Sequence, residues 1–182
     1  VLEEAKMDLG DYGYAGQFQQ TPIPRGGGMF RIDMVSVGIP ARKMVKTVRY
    51  WDKAGTGGGG AFTVGVKMGV DKDKRYCVLD VVRGQWEASQ RERIIRQTAI
   101  LDGKGVWIVV EQEPGSGGKE SAQASIRNLA GWRVRADRPS GDKELRADPY
   151  SAQVNAGNVS LAPGQWNRDY LGELQFFPMG TY

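Results

Sequence analysis

The chain of 182 residues contains no histidine and a single cysteine. The first absence removes Ser-His-Asp and Cys-His catalysis and every imidazole-ligated metal site. The second removes an internal disulfide and any Cys-rich zinc cluster. Cys77 lies in the apolar run Tyr76-Cys77-Val78-Leu79, where it reads as a small core residue. No apolar run reaches membrane-spanning length and no signal-peptide pattern opens the chain, so no membrane association is expected. Any bound metal must therefore be held by oxygen ligands, which points to Mg²⁺ or Mn²⁺.

Hydrophobic residues make up 40% of the chain, which suits a globular domain with a real core plus an appendage. The net charge of +4 permits a nucleic-acid partner without requiring one. Residues 1–45 differ from the rest. A possible helix end at Glu3–Leu9 gives way to Gly10, Gly13, Gly16, Pro22, Pro24 and Gly26-Gly27-Gly28 with no helix or strand period. This stretch reads as an extended connector from something upstream, and the initial Val1 agrees with a chain that is a fragment.

From Lys46 the pattern sharpens. Residues 46–54 predict a strand, Gly55–Gly60 a flexible turn, 61–70 a second strand, Asp71–Lys74 a charged hairpin turn and 75–83 a third strand, together an antiparallel meander. Ser89 and Glu92 have capping-box spacing ahead of a helix whose Ile94, Ile95, Ala99 and Leu101 share roughly one face. Residues 106–112 predict a fourth strand buried on both faces, 119–130 a helix with Ala122, Ile126 and Leu129 inward, and 132–136 a fifth strand. A helix interrupted by Pro149 over 143–156, a short strand at 159–161 and a last helix over 165–177 complete an α/β fold around one mixed sheet.

Two acids end two apolar strands. Asp52 closes Thr47-Val48-Arg49-Tyr50-Trp51-Asp52, and Glu111 closes Val106-Trp107-Ile108-Val109-Val110-Glu111. A carboxylate there is costly without a partner, and in a basic protein a divalent cation bridging to phosphate is one such partner. The plain alternative for Asp52 is a turn cap or a pair with Lys53 or Arg49; for Glu111 and Glu113 it is a surface salt-bridge pair. Alternation places Glu113 on the face of Glu111, so Glu113 is the reserve ligand. Gly115-Ser116-Gly117-Gly118-Lys119-Glu120 resembles a phosphate-binding loop but fails it. Glu113 stands where the first glycine belongs, and Glu120 follows the lysine. Lys119 and the helix start behind it remain equally a DNA-phosphate contact or a solvated loop. Arg133, Arg135, Arg138, Lys143 and Arg146, with Asp137, Asp142 and Asp148 interleaved, form either a mixed-charge surface or a set of backbone contacts to nucleic acid.

At these residues the chain resembles the C-terminal nuclease domain of the large terminase subunit of tailed bacteriophages. The resemblance runs through Gly16-Gln17-Phe18-Gln19-Gln20-Thr21-Pro22, Trp51-Asp52-Lys53-Ala54-Gly55-Thr56, Thr63-Val64-Gly65-Val66, Leu79-Asp80-Val81-Val82-Arg83-Gly84 and Glu111-Gln112-Glu113-Pro114-Gly115. It ends with Ala136-Asp137-Arg138-Pro139-Ser140-Gly141-Asp142-Lys143 and Gln153-Val154-Asn155-Ala156-Gly157-Asn158-Val159. It implies an α/β, ribonuclease-H-like fold: a mixed sheet of five or more strands flanked by helices, with residues 1–45 connecting to an upstream ATPase domain and 46–182 forming the nuclease domain. It further implies that Asp52 and Glu111 converge as catalytic metal ligands for Mg²⁺ or Mn²⁺, with Asp80 behind them at most and a salt bridge to Arg83 as its plain alternative. Lys119, Arg135, Arg138, Lys143 and Arg146 would contact DNA. A third acid, usually in an Asp-Asp motif at the start of a late helix, has no counterpart up to Tyr182, and Ala61 stands where relatives often carry an acid. The implied activity is cutting of double-stranded DNA concatemers during genome packaging in the host cytoplasm, with the portal and the small terminase subunit as further partners. The competing readings are a resolvase- or transposase-like nuclease and a non-catalytic DNA- or portal-docking module.

Overall fold

Strand pairing around Lys46–Asp52 sets the architecture. The computed structural model describes residues 28–40, 42–55 and 60–179. In chain order these form a 3₁₀ turn at Ile32–Met34, then β1 (Ser36–Val37), β2 (Lys46–Asp52), β3 (Thr63–Val70), β4 (Tyr76–Gly84), α1 (Ala88–Asp102) and β5 (Trp107–Glu111). There follow α2 (Ser116–Asn128), β6 (Val134–Asp137), α3 (Lys143–Asn155), β7 (Val159–Leu161) and α4 (Asn167–Phe176). The strands make one seven-stranded mixed sheet in the order β1-β7-β4-β3-β2-β5-β6. The expected meander is β2-β3-β4, antiparallel throughout. On the other side of β2, β5 and β6 add in parallel, each after a helical crossover.

Alternation along β2 divides its side chains between two cores. Arg49 and Trp51 point to one face, where Trp51 packs with Ile95 and Ala99 of α1, Ile108 and Val110 of β5, and Leu129 beyond α2. Gly65 on β3 is required there, because a Cβ at that position would lie 2.6 Å from the Trp51 ring. The opposite face carries Phe30, Val154 and Val159, with Tyr150 of α3 and Leu174 of α4 packed against them. The helices thus cover the sheet on both sides.

Several local expectations are revised. Ser89 and Glu92 do not form a capping box: the helix starts at Ala88 with Glu87 at the cap position and no side-chain cap. Glu92 instead accepts from Ser125 Oγ at 2.8 Å and so ties α1 to α2. Leu101 is exposed, since it falls on the solvent side of the last turn of α1, and Trp107 at the start of β5 is also partly exposed. The stretch read as a connector supplies buried Phe30 and strand β1, which pairs in parallel with β7. Residues 1–27 and 41 of that stretch lie outside the described residues.

The apolar face beneath α1 contains a charged knot. Arg49 is 1% exposed. Its Nε and one terminal nitrogen donate to the two carboxylate oxygens of Asp102 at 2.8 and 2.9 Å. It also donates to Gly65 O at 2.9 Å and to Asp80 Oδ2 at 2.7 Å. Lys67 adds a second cation 3.0 Å from Asp102. Burial alone would raise the Asp102 pKa, but the bonds and charges of Arg49 and Lys67 prevail and hold it below the ordinary carboxylate range. Asp102 therefore stabilises the fold above its unfolded pKa, and that contribution is lost as pH falls through the lower folded value. Asp102→Ala leaves a buried guanidinium without its main partner and is expected to cost about 3–5 kcal/mol in urea denaturation at pH 7. The difference from the unsubstituted chain should shrink as the pH is taken below the ordinary carboxylate range.

Candidate active site

The parallel register of β2 and β5 brings the two strand-ending acids together. Trp51 and Val110 are direct partners, and Asp52 and Glu111 each follow by one residue. Both therefore project from the same face, away from the Trp51 core. The pair is electrostatically coupled. Burial raises the Glu111 pKa, and the neighbouring Asp52 charge raises it further, against lowering by the Tyr50 hydrogen bond and Arg146. The Asp52 pKa is also raised, by burial first, with Lys143 and Arg146 acting to lower it.

The chain after Asp52 is clamped, which fixes where that carboxylate can go. Ala54 N donates to Thr63 Oγ1 at 3.0 Å, and Arg91 donates to Ala54 O at 2.5 Å. Between them Lys53 is buried, and its ammonium donates to Ser121 O (3.0 Å), Ser121 Oγ (2.7 Å) and Ser125 Oγ (2.9 Å). Burial lowers the Lys53 pKa, partly offset by Glu92. The side chain next to Asp52 in sequence is thus its structural anchor on the opposite face.

Two further residues complete the acid face. Tyr50 stands two residues before Asp52, on its side of β2, and its hydroxyl lies 3.2 Å from Glu111 Oε2 and 3.1 Å from Asp137 Oδ2. Asp137 ends β6 as the register partner of Glu111. The ends of three neighbouring parallel strands therefore each carry a carboxylate. Burial, together with Glu111 and Asp137, holds the Tyr50 pKa far above its ordinary value, so the phenol remains a donor. Its one proton serves one acid at a time. Period-two alternation back from Asp52 could have identified Tyr50. Asp137 was hidden among interleaved charges, and nothing local marks Lys53.

The basic residues fall into different places. The N-terminus of α3 sits over the acids, capped by Asp142, which accepts from Leu145 N at 2.8 Å. Exposed Lys143 and Arg146 occupy its first turn, with Arg146 3.7 Å from Glu111 Oε1. Arg135 lies two residues before Asp137 on β6, and Arg138 directly follows the strand; both are exposed. Lys119 is exposed on α2, the helix tied to α1 on the opposite face. Glu113 follows the end of β5 and is exposed, so strand alternation no longer governs its direction. Asp80 lies on the Trp51 face and bonds to Arg49, while Arg83 pairs with Glu173. It is thus removed from the two acids, and its salt-bridge partner differs from the one expected.

Among the described residues, no group of three or more acid, Cys or His side chains is arranged to hold a metal ion. Asp52 and Glu111 offer two carboxylates. That donor set suits a hard divalent cation, which commonly takes one or two carboxylates and fills its remaining positions with water and phosphate oxygens.

A family model for the terminase RNaseH-like domain matches residues 49–182. Among solved structures, the large terminase nuclease from thermophilic phage G20c with bound magnesium is similar at 14% identity and TM-score 0.58, over 84% of this chain and 81% of that one. The zinc-bound form of the same nuclease gives 14% identity and TM-score 0.55, over 83% of this chain and 88% of that one. The cobalt-bound form gives 15% and 0.56, over 85% and 82%. No curated protein matches. At these identities the structural likeness establishes the fold, α/β with a mixed sheet of the ribonuclease-H-like kind.

Tyr50→Phe removes the hydroxyl and leaves the ring. Divalent-cation affinity is expected to fall about 10–100-fold in calorimetric titration with manganese, with little more than about 1 kcal/mol of stability lost. Glu111→Gln tests the electrostatics without metal. A raised folded pKa means that the native chain holds the Glu111 proton more tightly than the unfolded one, so native stability declines as pH rises through that window. The Tm of Glu111→Gln relative to the unsubstituted chain should therefore rise from acid to neutral pH in chelator.

Proposed function

The chain belongs to the terminase RNaseH-like domain family, and from that membership we propose that it is a metal-dependent endonuclease cutting double-stranded DNA concatemers during phage genome packaging. The observation that carries this reading is the convergence of Asp52 and Glu111 at adjacent parallel strand ends beneath the cationic start of α3.

Asp52 and Glu111 would hold Mg²⁺ or Mn²⁺. A divalent ion bound there supplies Lewis-acid polarisation of the phosphodiester and makes water a usable nucleophile near neutral pH, which a site without histidine needs. The side chains provide the rest. Tyr50 orients the Glu111 carboxylate through its hydroxyl. Lys143 and Arg146 draw the DNA backbone over the acids, and Arg135 and Arg138 extend the same basic surface along β6. These are contacts to phosphate, which position a duplex without reading its sequence, so weak sequence preference is expected. Hydrolysis would leave 3′-hydroxyl and 5′-phosphate ends. In this reading an upstream ATPase domain, the portal and the small terminase subunit are partners, and the work is done in the host cytoplasm.

Plasmid cleavage with manganese is the direct test. Asp52→Asn and Glu111→Gln should each lower the rate at least about 100-fold, and chelator should abolish it. Full activity in Asp52→Asn would defeat the assignment. Because both acids bind protons more readily than ordinary carboxylates, the cation requirement should rise as pH falls, at a higher pH than for a solvated pair.

A further inference from the structure

The turn before α2, which fails as a nucleotide-binding loop, borders a cavity of about 260 Å³ beside Glu111. Arg91 of α1 forms part of its wall. That residue is 8% exposed, and its Nε is enclosed with no hydrogen-bond partner. Glu92 Oε1, at 3.9 Å, is too distant to accept from it, and one terminal nitrogen of Arg91 is committed to Ala54 O. A buried guanidinium N–H without an acceptor is costly and calls for one. Across the cavity stands the start of α2. Gly115 is its cap residue, no side chain caps the helix, and its first turn contains no acid. First-turn amides are free donors and, with the helix dipole, favour an anion.

The steric and electrostatic setting narrows the ligand. Gly55 and Gly117 line the cavity, and a Cβ at either would meet nothing within 4 Å, so a chain can pass close to both backbones. Lys53 contributes charge, but its donors are engaged by Ser121 and Ser125. Glu111 and Glu113 also form part of the wall and would repel a free anion. A phosphodiester whose neighbouring phosphate contacts a cation on Asp52 and Glu111 escapes much of that repulsion.

We propose that this cavity is a subsite for a backbone phosphate of the DNA strand being cut, held by Arg91 and the first-turn amides of α2. The inference rests on the DNA-cutting reading and adds to it a grip from α1 and α2, the helices on the Trp51 side of the sheet, beside the one from Lys143 and Arg146 of α3. Lys119 does not line the cavity.

The test is fluorescence anisotropy of a labelled duplex with the whole chain in calcium, with affinity followed against salt, alongside Arg91→Gln and Gly117→Glu. Gly117→Glu places a carboxylate in open space at the cavity, where an acid in the first turn favours the helix, so its Tm should hold or rise. Both substitutions should weaken binding at every sequence tested and lower the salt slope by about one. An unchanged slope in Gly117→Glu overturns the subsite, even if Arg91→Gln weakens binding, because the arginine effect would then be structural. Cleavage by Asp52→Asn at full rate would instead defeat the nuclease reading. A chain that binds no duplex at all defeats both.

Discussion

The buried ammonium of Lys53 is the interaction on which the acid face depends. Desolvating a lysine is unfavourable, and the fold offsets that cost with three hydrogen bonds that the ammonium donates to Ser121 and Ser125, in the middle and later part of α2. Those bonds join the exit of β2 to the helix that follows β5. They therefore couple the chain beside Asp52 to the chain beside Glu111, in addition to the sheet register that joins the strands themselves. Thr63 and Arg91 hold Ala54 from either side, so the strand end cannot swing. An exposed carboxylate at a strand end would ordinarily sample many directions; this one leaves a backbone fixed on three sides.

The two faces of the sheet handle charge in opposite ways. Beneath α1, Arg49 and Lys67 are matched by Asp80 and Asp102, and the Asp102 pKa falls below its ordinary range. On the other face Asp52, Glu111 and Asp137 crowd three strand ends, and the pKa values of Asp52 and Glu111 rise. The cations that act on them, Lys143 and Arg146, stand on the exposed first turn of a helix, with Arg146 3.7 Å from Glu111 Oε1. One network is closed and structural. The other is open: burial is the main reason its two carboxylates hold protons above their ordinary range, and Lys143 and Arg146 draw the Asp52 value back down.

Much of this was legible in the sequence because it follows from short-range periodicity. The β2-β3-β4 meander, the strand ending at Glu111 and the four helices are written in alternation, turn residues and apolar spacing. The two acids were legible for the same reason, as charges closing apolar runs. What was not legible depends on contacts between distant segments. Ser89 and Glu92 have the spacing of a cap, but the pull of Ser125 on Glu92 is a tertiary effect. Strand β1 has two residues and no pattern of its own; it exists because β7 offers an edge. Asp137 acquires meaning only when the register of β5 and β6 sets it against Glu111. Alternation does not reach Glu113, because β5 ends two residues earlier; Glu113 and Glu111 border one cavity all the same.

The parallel union of β2 and β5 has a consequence for how the molecule matures. Tyr50 and Glu111 are separated by 61 positions in the chain, with β3, β4 and α1 between them. The neighbouring hairpins close over short loops and can form early, whereas this junction carries a large loop-closure penalty and belongs to the slow stages of folding. A nascent or partly assembled polypeptide can thus possess most of its sheet and still lack the pairing of Asp52 with Glu111. The acid pair is a product of the finished tertiary structure and not of the hairpins that precede it.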